Sequence, residues 1–213
     1  MSICKFPKII GIDFDNTLID YSSLLYHYAI TFKYINGSTI KIKNEIRNKI
    51  RMLNDGEDKW QKLQALIYGP KIHKAERFTG VLKFFRYCKE KKIIIYIISH
   101  KTTFAKKDET QTNLREAAIN WMANNSFFQY VSKKNVFFET TREEKIKRIE
   151  QLGCDIFIDD LIEILNSETF PINTRKILFN PNNTKNINIK IEYARSWIEM
   201  CNLIFNYGSG QMN

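Results

Sequence analysis

Short apolar segments alternate with segments of helical periodicity along most of the chain. Five segments rich in β-branched and aromatic residues predict strands, at residues 9–14, 93–99, 136–139, 155–159 and 176–180. Apolar residues at helical spacing predict helices, at residues 80–91, 113–124, 142–152 and 191–205. This alternation predicts an α/β fold, in which helices cover both faces of a parallel sheet.

One interval departs from this alternation. Residues 18–78 show no convincing strand, but they contain three amphipathic segments, at residues 22–34, 42–53 and 58–68. An insertion of about 60 residues is longer than an ordinary connection between a strand and a helix. We interpret residues 18–78 as a small helical cap, and residues 1–17 and 79–213 as the core. Extra helices packed on one face of the sheet are the alternative.

The composition indicates a packed protein with no membrane partner. The chain has 213 residues, of which 44% are hydrophobic, enough for one sizeable core with an insertion. Its longest apolar run, residues 93–98, is far shorter than the roughly 20 residues that cross a bilayer. The N-terminus lacks the pattern of a signal peptide, and the four cysteines are widely spaced. We therefore expect a cytoplasmic protein with reduced thiols.

The net charge of +10 and the pI of about 9.4 raise the question of nucleic acid as a partner. However, the Lys and Arg residues are spread through every segment and form no long basic block. A basic surface also attracts small phosphorylated molecules. The charge alone does not decide between these partners.

The most informative residues follow the predicted strands. Asp13 and Asp15 stand at the end of the first strand, where side-chain alternation would place them on the same side. Alone, this pair could equally begin a turn and cap a helix. However, three later segments also present polar groups, namely Ser99 after the second strand, Lys145 early in the helix at 142–152, and Asp159 with Asp160 after the fourth strand. Ligands bind at the carboxyl ends of strands in such sheets.

These residue types together suit phosphoryl transfer. Carboxylates and water are the ligands that Mg²⁺ prefers, usually together with substrate phosphate. Ser99 can donate a hydrogen bond to a phosphoryl oxygen, and Lys145 can neutralise the charge of another. An aspartate can then attack phosphorus and form an aspartyl-phosphate.

The sequence DFDNT, Ser99, Lys145 and the sequence IDD together resemble the four motifs of the haloacid dehalogenase (HAD) superfamily, in the right order over residues 8–180. The resemblance implies a Rossmann-like core, a helical cap of the C1 type and Mg²⁺ as cofactor. It implies that Asp13 is the nucleophile and a metal ligand. It also implies that Asp15 is the general acid and base, with a backbone carbonyl that binds the metal.

The same resemblance assigns the remaining site residues. Asp159 matches a metal ligand. Asp160 would either contact the residues that bind the metal, without binding it directly, or reach the metal through water. Predicted phosphate contacts come from Phe14, Asn16, Thr17, Ser99, His100 and Lys145. Asn16 replaces the Gly that many members carry, a modest change because Asn also tolerates unusual backbone angles. Lys101 is a further candidate for contact with the substrate.

An acid at position 15 points to phosphatases and phosphomutases within the superfamily, because only these need a proton relay to an alcohol oxygen. We expect a Mg²⁺-dependent phosphatase that hydrolyses a small phosphorylated metabolite, such as a sugar or polyol phosphate in carbohydrate metabolism. We expect a monomer or homodimer and no nucleic-acid partner. The alternatives are a phosphomutase, a phosphatase acting on nucleic-acid ends, and a binding protein without catalysis.

Overall fold

The computed structural model describes residues 6–182 and 191–205. The chain divides into two compact units. The sheet unit takes its described residues from Met1–Leu18, Phe78–His100 and Ser126–Asn213. The helical unit consists of Ile19–Arg77 and Lys101–Asn125.

The described residues contain strands and α-helices in the following bounds. The strands are β1 (Ile9–Ile12), β2 (Ile19–Asp20), β3 (Glu76–Arg77), β4 (Ile94–His100), β5 (Val136–Glu139), β6 (Ile156–Asp159), β7 (Arg175–Phe179) and β8 (Glu192–Ala194). The helices are α1 (Ser22–Thr31), α2 (Lys43–Arg51), α3 (Gly56–Tyr68), α4 (Val81–Glu90), α5 (Leu114–Asn124), α6 (Arg142–Gln151), α7 (Ile162–Leu165) and α8 (Trp197–Phe205).

Six strands form one sheet in the order β5-β4-β1-β6-β7-β8. Every neighbouring pair in this sheet is parallel. The predicted α/β fold with a Rossmann-like parallel sheet is therefore confirmed. Because β1 lies between β4 and β6, the carboxyl ends of these three strands are neighbours.

Buried side chains explain why these segments fold as they do. Val81, Phe84, Phe85 and Cys88 of α4 are buried, and their spacing places them on one face of the helix. In β1, a Cβ atom at Gly11 would lie 2.6 Å from Cδ2 of Phe157. Only glycine therefore allows β1 and the core residue Phe157 to approach this closely.

The helical unit draws on two separate parts of the chain. Three of its α-helices, α1, α2 and α3, lie in residues 19–77, where an insertion was predicted, while α5 comes from residues 101–125. The Trp121 indole of α5 donates a hydrogen bond to the Ala75 carbonyl at 2.8 Å, and Lys107 pairs with Asp58 at 2.6 Å. The prediction had placed residues 101–125 in the core. Helical periodicity indicates which face of a helix is apolar, but it does not indicate which neighbour covers that face.

Two further predictions of secondary structure are wrong. Residues 191–205 are not one helix, because β8 pairs with β7 before α8 begins at Trp197. The interval 18–78 also contains two strands, since β2 pairs antiparallel with β3 over two residues each. Strands of two or three residues are too short to show a period in the sequence. Whether such a segment forms a strand depends on the strand with which it pairs.

Two predictions from composition can be compared with the described residues. Cys88, Cys154 and Cys201 are buried free thiols, and burial raises the pKa of each. Cys4 lies outside the described residues. The helices of the described ranges all fall short of the length and apolar character that a membrane crossing requires.

Candidate active site

The central strands bring the predicted site residues of the sheet unit together. The Asp13 amide donates to the Ile158 carbonyl at 2.9 Å, which extends the pairing of β1 and β6 one residue beyond β1. Asp13 therefore lies beside Asp159, the last residue of β6. Ser99 lies near the end of β4 and is 1% exposed. The first, second and fourth predicted strands thus place their polar residues at the same edge of the sheet.

Lys145 joins this edge from α6. Its Nζ atom donates to Oδ1 of Asp13 and to Oδ2 of Asp159, each at 2.6 Å, and the residue is only 1% exposed. A capping box fixes the start of α6, because Thr141 Oγ1 accepts from the Glu144 amide while the Glu144 carboxylate accepts from the Thr141 amide. The capping box at the start of α6 therefore helps to fix the position of Lys145 in the site.

The electrostatics of this group follow from its burial. Burial and, to a smaller extent, the nearby Asp13 raise the pKa of Asp159 to about 6, although Lys145 acts in the opposite direction. For Lys145, burial lowers the pKa, but the two carboxylates outweigh it and the net shift is upward. Lys145 thus stays protonated, with a carboxylate on each side.

The carboxylates also fit a divalent metal ion. One carboxylate oxygen from each of Asp13, Asp159 and Asp160 lies within 4.8 Å of the others. Hard oxygen donors with space for water are the environment that Mg²⁺ selects. Side chains had been predicted to contribute from Asp13 and Asp159, with Asp160 behind them. The geometry places Asp160 directly in the group.

The two acids of the first pair lie in different local structures, because Asp13 directly follows β1 and Asp15 lies within a turn. β1 ends at Ile12, and the Leu18 amide donates to the Phe14 carbonyl at 3.0 Å, which closes a turn over residues 14–18. Asn16 has a φ of 59°, which agrees with the expectation that Asn tolerates an unusual backbone angle here. Asp13 therefore continues the pairing of β1, whereas Asp15 does not belong to β1, and the predicted common side of the two side chains stays a prediction.

The other predicted residues occupy different surroundings. The Phe14 ring is buried edge-on against Phe138, with centroids 6.1 Å apart. Thr17 is buried, and its Oγ1 has no hydrogen-bond partner within the described part of the chain. The exposed His100 ring places Nε2 2.9 Å from the Thr140 carbonyl, just before α6. Lys101 belongs to the helical unit, where its Nζ lies 5.4 Å from the centroid of the Tyr68 ring.

One contact to the acid turn was missed from the sequence. The buried Trp197 indole in α8 donates to the Thr17 carbonyl at 3.1 Å. The two residues are 180 positions apart. Nothing in local spacing indicates such a contact, and residues beyond 180 carried no motif.

Comparison with known proteins supports the fold. No protein-family model and no curated protein matches the sequence. Among solved structures, a HAD-superfamily hydrolase from Ehrlichia chaffeensis is 17% identical, with a TM-score of 0.51 over 94% of this chain and 97% of the other. A HAD hydrolase from Bacillus subtilis, bound to magnesium, is 12% identical, with a TM-score of 0.53 over 94% and 100%.

A third structure shows that this fold is shared by proteins with other names. Protein Tyrosine Kinase A of Mycobacterium tuberculosis is 10% identical, with a TM-score of 0.64 over 94% of this chain and 99% of the other. At these identities, the comparisons establish the architecture. The protein therefore has the fold of the HAD-superfamily hydrolases, as the four motifs predicted.

Proposed function

We propose that the protein is a Mg²⁺-dependent phosphatase that hydrolyses a small phosphorylated metabolite, such as a sugar or polyol phosphate, through an aspartyl-phosphate. One observation carries this proposal. The Lys145 ammonium contacts the carboxylates of Asp13 and Asp159 in a buried site, and Ser99 lies on the strand next to β1. A nucleophile, a fixed cation and a hydroxyl donor are the groups that phosphoryl transfer requires.

In the first step, a carboxylate oxygen of Asp13 attacks phosphorus and the bond from phosphorus to the ester oxygen breaks. Asp15 donates a proton to the departing alkoxide, which leaves as the alcohol. Lys145 and Ser99 donate hydrogen bonds to the phosphoryl oxygens, where charge is held in the transition state. The product of this step is the aspartyl-phosphate of Asp13.

In the second step, Asp15 accepts a proton from water as the water oxygen attacks phosphorus. The acyl-phosphate bond breaks, inorganic phosphate leaves, and the Asp13 carboxylate is restored. Mg²⁺, when held by Asp13, Asp159, Asp160 and the backbone carbonyl of Asp15, would supply positive charge that offsets the repulsion between Asp13 and the phosphate dianion.

Asp13→Asn tests the proposal directly. The amide cannot act as the nucleophile, so phosphate release from p-nitrophenyl phosphate should fall by at least about 10³-fold. Asp55→Asn is the matched control, because Asp55 lies in an exposed turn with a φ of 54°, a backbone angle that Asn accepts. Full activity in Asp13→Asn would remove Asp13 as the nucleophile.

A panel of phosphorylated metabolites, assayed with and without Mg²⁺, tests the substrate class. Release of one inorganic phosphate for each ester consumed supports a phosphatase. Isomerisation of a sugar phosphate without net release of phosphate would identify a phosphomutase. The cytoplasmic location, the monomeric or homodimeric state and a role in carbohydrate metabolism stay predictions.

The net charge of +10 favours a second candidate, a phosphatase that acts on nucleic-acid ends. Such an enzyme would bind oligonucleotides with an affinity that falls steeply as salt increases. Measurement of oligonucleotide binding between low and physiological salt separates the two candidates. We expect weak binding, because the basic residues are dispersed along the chain.

A further inference from the structure

One peptide group of the turn that carries Asp15 makes two hydrogen bonds. This peptide joins Thr17 to Leu18, and its N–H, from Leu18, donates to the Phe14 carbonyl at 3.0 Å. The turn also contains Asn16 in the left-handed region, at a φ of 59°. A non-glycine residue in this region adds strain. A contact from outside the turn that holds this peptide group therefore supports the conformation of the turn.

That support comes from the C-terminal helix. The Trp197 indole N–H donates to the Thr17 carbonyl at 3.1 Å. This carbonyl belongs to the same peptide whose N–H closes the turn. The peptide is thus held at both ends, by Phe14 on one side and by Trp197 on the other.

The Thr17 side chain does not provide this support. Its Oγ1 is buried and makes no hydrogen bond to any part of the chain that the structure describes. The carbonyl of Thr17, rather than its hydroxyl, therefore connects the turn to the rest of the sheet unit.

Trp197 itself is held rigidly. It is fully buried, with its ring 4.9 Å from the centroid of Phe84 and 5.5 Å from that of Phe179. The start of α8 is fixed next to it, because Ser196 Oγ accepts from the Glu199 amide at 3.1 Å and the Glu199 carboxylate accepts from the Arg195 amide at 2.8 Å. The direction of the indole N–H is therefore set by the surrounding core and by the helix cap.

We propose that Trp197 is a positioning residue, which holds the Thr17–Leu18 peptide and thereby fixes the Asp15 carboxyl for proton transfer. The part of this proposal that concerns catalysis rests on the proposed function of Asp15 as general acid and base. Trp197 touches neither the substrate nor the reacting atoms in this role. It acts through the backbone of the turn.

Trp197→Phe removes the donor and keeps an aromatic ring in the core. The matched control is Trp121→Phe, which removes another buried indole hydrogen bond, to the Ala75 carbonyl at 2.8 Å in the helical unit. The first measurement is amide hydrogen exchange. The Leu18 amide should exchange about tenfold faster in Trp197→Phe than in the wild type, and at the wild-type rate in Trp121→Phe. Unchanged exchange at Leu18 in Trp197→Phe would overturn the proposal.

The second measurement separates positioning from general loss of stability. An alkyl phosphate needs protonation of its leaving group, whereas p-nitrophenolate leaves without help. Trp197→Phe should lower kcat/KM, which reports the step that releases the leaving group, about tenfold for the alkyl phosphate and clearly less for the aryl phosphate. Equal losses for both esters would contradict the assignment to Asp15.

Two further outcomes are also decisive. If the wild-type protein hydrolyses no phosphate ester, the proposed function and the catalytic part of the inference fail, while hydrogen exchange still decides whether Trp197 holds the turn. If Trp197→Phe does not fold, hydrogen exchange in the wild-type protein decides whether Trp197 holds the turn. The Trp197 indole N–H and the Leu18 amide should then exchange at similar rates, because both hold the same peptide. A much faster indole exchange would overturn the proposal.

Discussion

Lys145 keeps its charge in a place from which water is excluded. It does so because two carboxylates lie 2.6 Å from its Nζ atom, and burial of any one of these charges alone would be costly. The ammonium group holds Asp13 and Asp159 in place before any substrate arrives. A phosphate would therefore meet carboxylates and a cation that are already oriented.

Lys145→Met should lower the free energy of unfolding by about 3 kcal/mol at pH 7, since it leaves two buried carboxylates without their cation. Urea denaturation measures this loss. Lys147→Met is the control, because Lys147 is an exposed residue of the same helix. The deficit should shrink as the pH falls, because a protonated carboxyl needs no counter-charge. Equal stability of the two variants at pH 7 would contradict the role assigned to Lys145.

Asp160 provides a test of the metal site that does not depend on activity. Mg²⁺ should raise the melting temperature of the wild-type protein, as any ligand of the folded state does. In Asp160→Asn, the Mg²⁺ concentration for half of this shift should increase about tenfold. Glu163→Gln removes the same charge from an exposed position on α7 and should leave the titration unchanged. Identical titrations for Asp160→Asn and the wild type would exclude Asp160 as a ligand.

At this scale, the sequence predicted the kinds of residue and their order, but not their contacts. The sequence motifs alone assigned Asp13, Lys145 and Asp159 to the site. However, the ammonium group was expected to act on phosphate, and its position between two carboxylates was not foreseen. Asp13 and Lys145 are separated by 132 positions, and no local pattern reports a distance across such a separation. The turn at Asp15 was missed because the apolar run continues through Phe14 after the strand has ended.

Among the elements, β8 shows how a very short strand can be held. Arg175 of β7 makes two hydrogen bonds to the Glu192 carboxylate, from Nε at 2.6 Å and from Nη2 at 2.7 Å. This paired contact adds to the backbone bonds between β7 and β8. The Arg175 hydrogen bonds lower the pKa of Glu192 below its ordinary value of 4.5.

Glu192→Gln should lower the free energy of unfolding by about 0.5 kcal/mol at neutral pH, a small effect because the pair is partly exposed. A carboxyl with a lowered pKa stabilises the fold above its unfolded-state pKa, and this contribution is lost as the pH falls through the folded-state value. The difference from the wild type should therefore begin to shrink near the ordinary value of 4.5 and disappear below the lowered folded-state pKa. Denaturation curves at neutral and acidic pH measure this difference in the free energy of unfolding, with the exposed Glu150→Gln as control. A difference that persists in acid would contradict this account.

Most strands and helices were predictable because each contains enough residues to show its own pattern of apolar and polar positions. The predicted segment at 142–152 corresponds to α6, and the segment at 136–139 corresponds to β5. The strands β2, β3 and β8 were missed because two or three residues are too few to show a period, and the helix α7 was missed because its four residues make little more than one helical turn. Their structure depends on the neighbours with which they pair, and those neighbours are distant in the sequence.

For the whole molecule, the two units differ in how the chain builds them. The helical unit needs both of its segments, since Trp121 bonds to Ala75 and Lys107 pairs with Asp58 across the gap between them. Periodicity alone predicted one continuous insertion. The second segment went unrecognised because α5 has the length and pattern of an ordinary helix between two strands of the sheet.

Deletion variants test this division. A variant with a short glycine linker in place of residues 19–77 alone should expose the buried residues of α5, bind a hydrophobic dye and aggregate. A variant with linkers in place of both 19–77 and 101–125 should stay soluble and unfold cooperatively. Size-exclusion chromatography and circular dichroism compare the two. If the single replacement is more soluble and unfolds more cooperatively than the double replacement, α5 belongs with the sheet.

The ends of the first inserted segment meet. The Phe78 amide donates to the Leu18 carbonyl at 3.0 Å, and β2 pairs with β3 directly beyond this point. A stretch of chain whose entry and exit touch can grow, shrink or be exchanged while the route through the parallel strands stays the same. Evolution can thus remodel residues 21–75 without a change in the spacing of the acids and the lysine, provided that the contacts with residues 101–125 are kept.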